Sequence, residues 1–549
     1  MAMVQSHRAA ALPLRAALRE STRLEFPHAH PNSGQGIFPQ QALVRDAIAP
    51  AQAHESALLS TARRAEYKKA LISRRSPGTR PVTATTAMAA CVSRLDLAIS
   101  AAWRSRGTTT LLAILGAVLV SPICRAQQEP TAPSTEAPQE SFAVHGQATF
   151  LDQWSNDFDA PYAGRQSLSP DENRETVDVS LFLGARLWSG AQAWVQPEMD
   201  QGFGLDNTLG VAGFPSGEAY KVGSWQPYYR TPRWFIRQTI DTGTEREAVE
   251  GIPNRLGGSQ SLDRWVFTVG KFAVTDVFDT NQYAHDPRMD FLNWAAVDAG
   301  SFDYAADAWG YTVGAAAERY LGSWTYRAGG FDLSNIPNSE VLDHGLHEFQ
   351  IDAEIEKRYE LFGQTGRVLL TGFDSRGRMG LLDQAIELGE VTGTAPDAAH
   401  VRHYRGRMGA SVDLEQPITS DIGVFARAGK AAGNVEVYEF SDIDRTVEAG
   451  ASIKGRRWHR PDDTIGIVAI DNGISGEREQ YFNLGGIGIL CGDGQLPHPG
   501  AEEILETYYS LAAFSWAQIS LDYQRIADPC YNTDRGPVSV TAVRVHAQF

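Results

Sequence analysis

Thr176–Trp188 reads TVDVSLFLGARLW, and every second side chain from Val177 to Leu187 is apolar. Val177, Val179, Leu181, Leu183, Ala185 and Leu187 share one face. Asp178, Ser180, Phe182, Gly184 and Arg186 share the other. A period of two marks a β-strand with one apolar and one polar side. Further along, His347–Ile355 sets Phe349, Ile351, Ala353 and Ile355 against Gln350, Asp352 and Glu354. The last segment, Pro537–Phe549, sets Val543, Val545, Ala547 and Phe549 against Arg544, His546 and Gln548.

The same reading places sixteen strands near 143–154, 176–188, 192–201, 233–242, 265–274, 310–320, 324–333, 347–359, 367–376, 404–415, 422–431, 446–455, 464–472, 503–514, 516–527 and 537–549. The segments 422–431 and 446–455 carry few bulky residues. A soluble β-sandwich produces the same alternation. Three features favour a closed transmembrane antiparallel β-barrel instead. A secretory leader precedes the strands, connections alternate between short and long, and Trp188, Trp324, Trp458 and Trp516 cluster at the short ends. Short turns, long loops and an aromatic girdle describe an outer-membrane barrel with an even strand number. Such a barrel encloses water, so its polar face points inward. Phe549, with apolar residues two, four and six positions earlier, resembles the signal read by the outer-membrane assembly machinery.

The charge distribution divides the chain. Of 49 Lys/Arg and 66 Asp/Glu, residues 1–126 hold 16 and 6, leaving 33 and 60, a net −27, in 127–549. An acidic body argues against a nucleic-acid partner. Leu111–Val120 (LLAILGAVLV) follows Arg104 and Arg106 and precedes Pro122 and Cys124-Arg125-Ala126. That layout is a signal peptide cut after Ala126; the apolar run is half of the ~20 residues a spanning helix needs. Residues 88–126 are therefore expected to be the leader, starting at Met88. Residues 1–87 are an extension that fits no domain. Residues 127–141 (QQEPTAPSTEAPQES) are a flexible linker, and 142–549 form the barrel.

Gly270–Ala295, GKFAVTDVFDTNQYAHDPRMDFLNWA, resembles the central signature of carbohydrate-selective porins of the OprB type. Leu521–Phe549 is similar to that family's last two strands, and Phe150–Ser155, Tyr228–Arg237 and Ala299–Gly314 also fit. The resemblance covers most of 142–549 and none of the leader. It implies a sixteen-stranded Gram-negative outer-membrane porin that passes monosaccharides such as glucose, without a cofactor. A monomer and a homotrimer both remain open. Cys491 and Cys530 depart from the family pattern. An oxidising compartment would let them pair, and two unrelated thiols are the alternative.

Passive passage needs a hole, a narrowing and a weak site. Thr275–Trp309, with Asp276, Asp279, Asn281, Asp286, Arg288, Asp290 and Asn293, is expected to fold inward as a constriction loop; a cover over the rim is the alternative. Arg233 and Arg237 share a face with Phe235, leaving Trp234, Ile236 and Ile240 for lipid. Gln192, Trp194, Gln196 and Glu198 form a second inward series. Charged groups can bind sugar hydroxyls, and a ring can stack on a sugar face. Trp194 is the candidate for stacking, or else a strut under the loop. Arginines opposite loop aspartates would set up a transverse field.

Enzyme readings find little support. HExxH, GxSxG, GxxxxGK[ST] and CxxC are absent. Asp352 and Glu354 belong to a polar strand face rather than to a glycosidase pair. His344/His347 and His400/His403 lack a Cys partner and read as solvated histidines, not as a metal site. Two other readings stay open, a porin selective for cations or organic acids and a structural barrel that transports nothing.

Overall fold

The computed structural model describes residues 139–219, 223–440 and 442–549. Sixteen antiparallel strands close into one barrel. They are β1 (Phe142–Ser155), β2 (Asn173–Trp188), β3 (Ala191–Gly202), β4 (Ser224–Asp241), β7 (Arg264–Phe272), β8 (Thr312–Leu321), β9 (Trp324–Asp332), β10 (Phe349–Leu361), β11 (Gln364–Met379), β12 (His403–Pro417), β13 (Ile422–Ala431), β14 (Arg445–Lys454), β15 (Thr464–Gly473), β16 (Glu502–Phe514), β17 (Ala517–Ala527) and β18 (Val538–Gln548). Each pairs with the next, and β1 pairs with β18. The remaining strands, β5 (Arg246–Val249) and β6 (Gly258–Ser261), form a separate two-stranded hairpin. No helix among the described residues is long and apolar enough to cross a membrane. A closed barrel satisfies every strand edge, which is what a lipid surround demands.

All sixteen expected strands are present, and the largest boundary difference has a clear cause. β4 starts at Ser224, well before the expected 233. Pro227 and Pro232 suppress a strand reading there. In the structure the ladder breaks its register between Gln196/Arg233 and Glu198/Arg230. Pro232 thus sits at a bulge, where its missing N–H costs no ladder bond.

The barrel is apolar outside and polar inside. On β2 the apolar row faces out, while Asp178, Ser180 and Phe182 are buried. Trp234, Ile236 and Ile240 are exposed on the outer wall, as are Leu370, Met408 and Val447. At the short-turn end Trp324 stacks on Tyr326 with centroids 6.2 Å apart, and Phe514 on Trp516 at 5.2 Å. Trp188, at the β2–β3 turn of the same end, is exposed and donates to Gln238 at 2.7 Å. This is the interfacial aromatic belt.

The connections 189–190, 322–323, 362–363 and 515–516 are two-residue turns. On the opposite end the long loops carry the helices α1 (Trp294–Val297), α2 (Leu382–Thr392) and α3 (Gly476–Asn483). Cys491 and Cys530 form a disulfide with Cα atoms 5.5 Å apart and a sequence separation of 39. It joins two of these loops. A loop of that length corresponds to about 4 kcal/mol in the chain-entropy account. The side chains of His347 and His400 are largely exposed and each contacts one aspartate.

The segments 1–87 and 88–126, and most of 127–141, lie outside the described residues. Glu140 at the end of the expected linker is described. Its N–H donates to the Gly257 carbonyl at 3.1 Å, and its carboxylate accepts from Gly257 N at 2.6 Å.

Candidate permeation site in the lumen

Residues 273–311, between β7 and β8, cross the barrel interior and bond to walls on every side. Asp279 N donates to Glu354 on β10 at 2.7 Å. Asn281 donates to Asp413 on β12 at 3.1 and 3.0 Å. Leu292 N and Asn293 N reach Glu506 on β16 at 2.5 and 3.0 Å. Arg544 on β18 donates to the carbonyls of Pro287, Asp290 and Met289 at 2.5, 2.8 and 3.1 Å. The segment is an inward-folded loop clamped by charge-assisted bonds, each stronger than a neutral one.

The central clamp is Arg427 on β13. Its guanidinium lies 3.0 Å from Glu448, 3.4 Å from Asp413 and 3.9 Å from Asp279. It also donates to the carbonyls of Ala296 at 3.0 Å and Ala284 at 2.9 Å. The small residues of β13 make room for the loop. A Cβ on Gly423 would collide with the Tyr283 ring, and one on Gly429 with Ser301 Oγ. The low bulk that makes β13 faint as a sequence signal follows from its burial under the loop.

The expected site residues divide into three groups. Asp279, Asn281 and Asn293 are buried loop anchors rather than lining groups. Asp276, Asp286, Arg288 and Asp290 are half-buried, along the loop's lumenal edge. Gln196, Glu198 and Arg233 stand on the wall facing that edge. Arg233 holds Asp276 in a two-pronged pair at 2.7 and 2.6 Å and donates to Gln196 at 2.8 Å. Arg288 lies 3.3 Å from Asp178, 3.4 Å from Glu218 and 3.8 Å from Glu198. Arg230 pairs with Glu198 and Asp200. Tyr311 underlies both wall arginines, its centroid 5.2 Å from Arg230 and 4.8 Å from Arg233. The charges therefore interlock in contact, where the sequence suggested a field across a gap. Arg230 and Glu218 were not anticipated. Arg230 lies beyond Pro232, where the strand reading stops.

Two expectations need correction. Trp194 cannot stack on a sugar, because it is 3% exposed. Its indole donates to Gln192 at 2.8 Å, stacks on His145 at 6.3 Å and packs over Gly184. It is a strut. Arg237 does not join the constriction group. It donates to the Asn254 carbonyl at 2.9 Å and to Thr268 at 3.3 Å, with Phe235 beneath it at 5.0 Å.

Both corrections trace to the β5–β6 hairpin, which the strand reading missed. Residues 242–263 occupy the short-turn end, where four of the other hairpins need only two residues. Leu256, near its tip, is 4% exposed and packs in one cluster with Trp194 and Phe235. Leu256 N donates to Gln192 at 2.9 Å, and Arg264 pairs with Glu247 at 3.0 Å. The hairpin tip thus tucks against the inner wall at the periplasmic mouth.

Titration at the lumenal edge runs in one direction. Burial favours the neutral acid at Asp276, but the Arg233 guanidinium outweighs it and holds the carboxyl below the usual range. At Asp290, burial and then the Asp286 charge push the carboxyl up to about 7. Burial works against a proton on His285, yet the Asp298 carboxylate 3.2 Å away raises the imidazole above its ordinary value. As pH rises through about 7, Asp290 gains negative charge, and loss of the His285 proton acts in the same sense. Cation preference, read as reversal potential in a salt gradient, should therefore increase with pH, and Asp290→Asn should flatten the response.

A sixteen-stranded barrel with a wall-clamped inward loop is the porin plan, and the family model for "Carbohydrate-selective porin, OprB family" matches residues 165–549. The chain belongs to this family. It is a carbohydrate-selective outer-membrane porin. Among solved structures, the high-pH structure of Pseudomonas putida OprB is similar in fold. Its TM-score is 0.57 and its identity 14%, covering 74% of this chain and 94% of that one. The Salmonella typhi OmpF complex with daunomycin matches at a TM-score of 0.40 and 9% identity, covering 74% and 97%. No curated protein sequence matches.

Proposed function

We propose that monosaccharides such as glucose cross this porin along the strip between the loop edge, Tyr283–Asp290, and the wall of β2–β4. The observation that carries the reading is Arg288, which faces two wall carboxylates, Asp178 and Glu198, and the loop carboxylate of Glu218, all within 3.8 Å. Sugar hydroxyls both donate and accept, so they can exchange with such pairs at low net cost. A ring of one charge sign would select ions instead. The mature chain starts at Gln127, after a leader ending at Ala126, and its residues 142–549 form the channel. Assembly uses the terminal Phe549, lipid surrounds the wall, and the channel works as a monomer or a homotrimer.

Planar-bilayer recording tests the reading. Glucose should close the conductance steps in a saturable way, and Arg288→Ala should weaken that block while a small dicarboxylate stays without effect. Steps indifferent to glucose would move selectivity to size or to ions. Folded, inserted protein without steps would favour the structural barrel.

A further inference from the structure

The outer wall carries a basic arc that conduction does not use. Arg376 and Arg378 on β11, Lys430 on β13 and Arg445 on β14 all lie at the long-loop ends of their strands. Strand parity turns them outward, in the rows of the exposed residues Leu370 and Val447. On β12, between them, Tyr404 and Met408 are exposed. Gly406 has no side chain, and a Cβ there would lie 2.8 Å from the Arg376 guanidinium. Asp374 is the one acid in the outward row of β11 beside them, and the outward charges of the other strands at this end are mixed in sign, with Asp152, Glu175, Asp471, Glu503, Lys271 and Arg525. In a body of net charge −27, four outward cations on one arc are not a by-product of overall basicity.

Local pairing leaves the arc under-neutralised. Lys430 and Arg445 are register partners on neighbouring strands. Like charges directly opposite destabilise a strand pair unless a counter-charge lies between them. Arg445 has Asp471 at 3.2 Å, Arg376 has Asp374 at 2.7 Å, and Arg378 has Glu348 at 3.1 Å. All three arginines keep substantial exposure. Lys430 is exposed and has no carboxylate within ion-pair distance among the described residues. The arc lies at the long-loop end of the wall, beyond the exposed apolar residues Leu370, Met408 and Val447.

We propose that this arc binds the phosphate groups of an outer-leaflet phosphoglycolipid, with Tyr404 and Met408 against its apolar portion. Basic clusters at a membrane surface recognise anionic headgroups through the same electrostatics, and arginine forks match phosphate oxygens. The inference rests on the outer-membrane location and is independent of the sugar reading.

The test compares wild type with the Lys430→Glu/Arg445→Glu double variant, each purified in mild detergent from outer membranes. The probes are added lipid A with its phosphates and the same lipid dephosphorylated, followed by native mass spectrometry. Wild type should retain the phosphorylated lipid and lose most of the dephosphorylated one. The variant should retain several-fold less of the phosphorylated form, at unchanged single-channel conductance. Equal retention by both proteins, or retention indifferent to phosphate, would overturn the proposal. So would an oligomer that the variant splits, since the arc would then face a second copy. If the double glutamate fails to assemble, Lys430→Gln/Arg445→Gln is expected to show the same loss in smaller degree.

Discussion

Arg427→Ala should give a barrel that still inserts but conducts more, and more noisily. Arg427 neutralises Asp279, Asp413 and Glu448 and holds two carbonyls of the inward loop. Truncation leaves buried carboxylates facing one another without their cation. Removing one partner of a buried pair costs about 3–5 kcal/mol, largely because the other charge stays buried. The strand ladder does not depend on this side chain, so the cost falls on the loop. Arg427→Lys should be intermediate, keeping the charge but not the fork. Single-channel conductance and the heat-unfolding midpoint of the folded barrel are the measurements. A variant with wild-type conductance would show that the loop is held without Arg427.

Replacing Thr242–Asp263 by a two-residue turn should raise conductance about twofold, if passage scales with the narrowest polar cross-section. The hairpin tip places Leu256 against Trp194 and Phe235 and occupies Arg237. Its removal exposes that cluster to water and frees a guanidinium at the periplasmic mouth. Anion preference should rise with the conductance. Glucose block should persist, because Arg288 and Arg233 lie in the other group of contacts. An unchanged conductance would mean that the inward loop alone sets the bottleneck. Abolished glucose block would place the sugar site at the hairpin.

How much was legible can be judged from particular residues. The strands could be read because a barrel wall must alternate, and the outer row from Val177 to Leu187 is apolar without interruption. The inward loop was legible as a long polar connection, but the roles within it were not. Asp279 and Asp290 look alike in sequence. One is buried against Arg427, and the other edges the lumen beside Asp286. That difference is set by which strand each meets across the barrel, and local pattern carries no such information. Trp194 misled for a related reason. Its inward direction was right, but what covers it comes from residues 254–257, on a hairpin too short and too polar to register as strands. Pro232 hid the first half of β4, and Arg230 with it.

The seam between β1 and β18 bears on truncation. Gly146 and Phe549 exchange both backbone bonds, at 3.1 and 2.9 Å, and the ladder continues up to Ser155 and Val540. In an open sheet, loss of the last strand merely moves the edge inward by one. In a ring it creates two edges at once, on β1 and β17, and both would meet hydrocarbon with unpaired N–H and C=O groups. A stop codon a dozen residues early is therefore a defect of the whole ring, and a chain so shortened has no smaller version of this wall to fall back on.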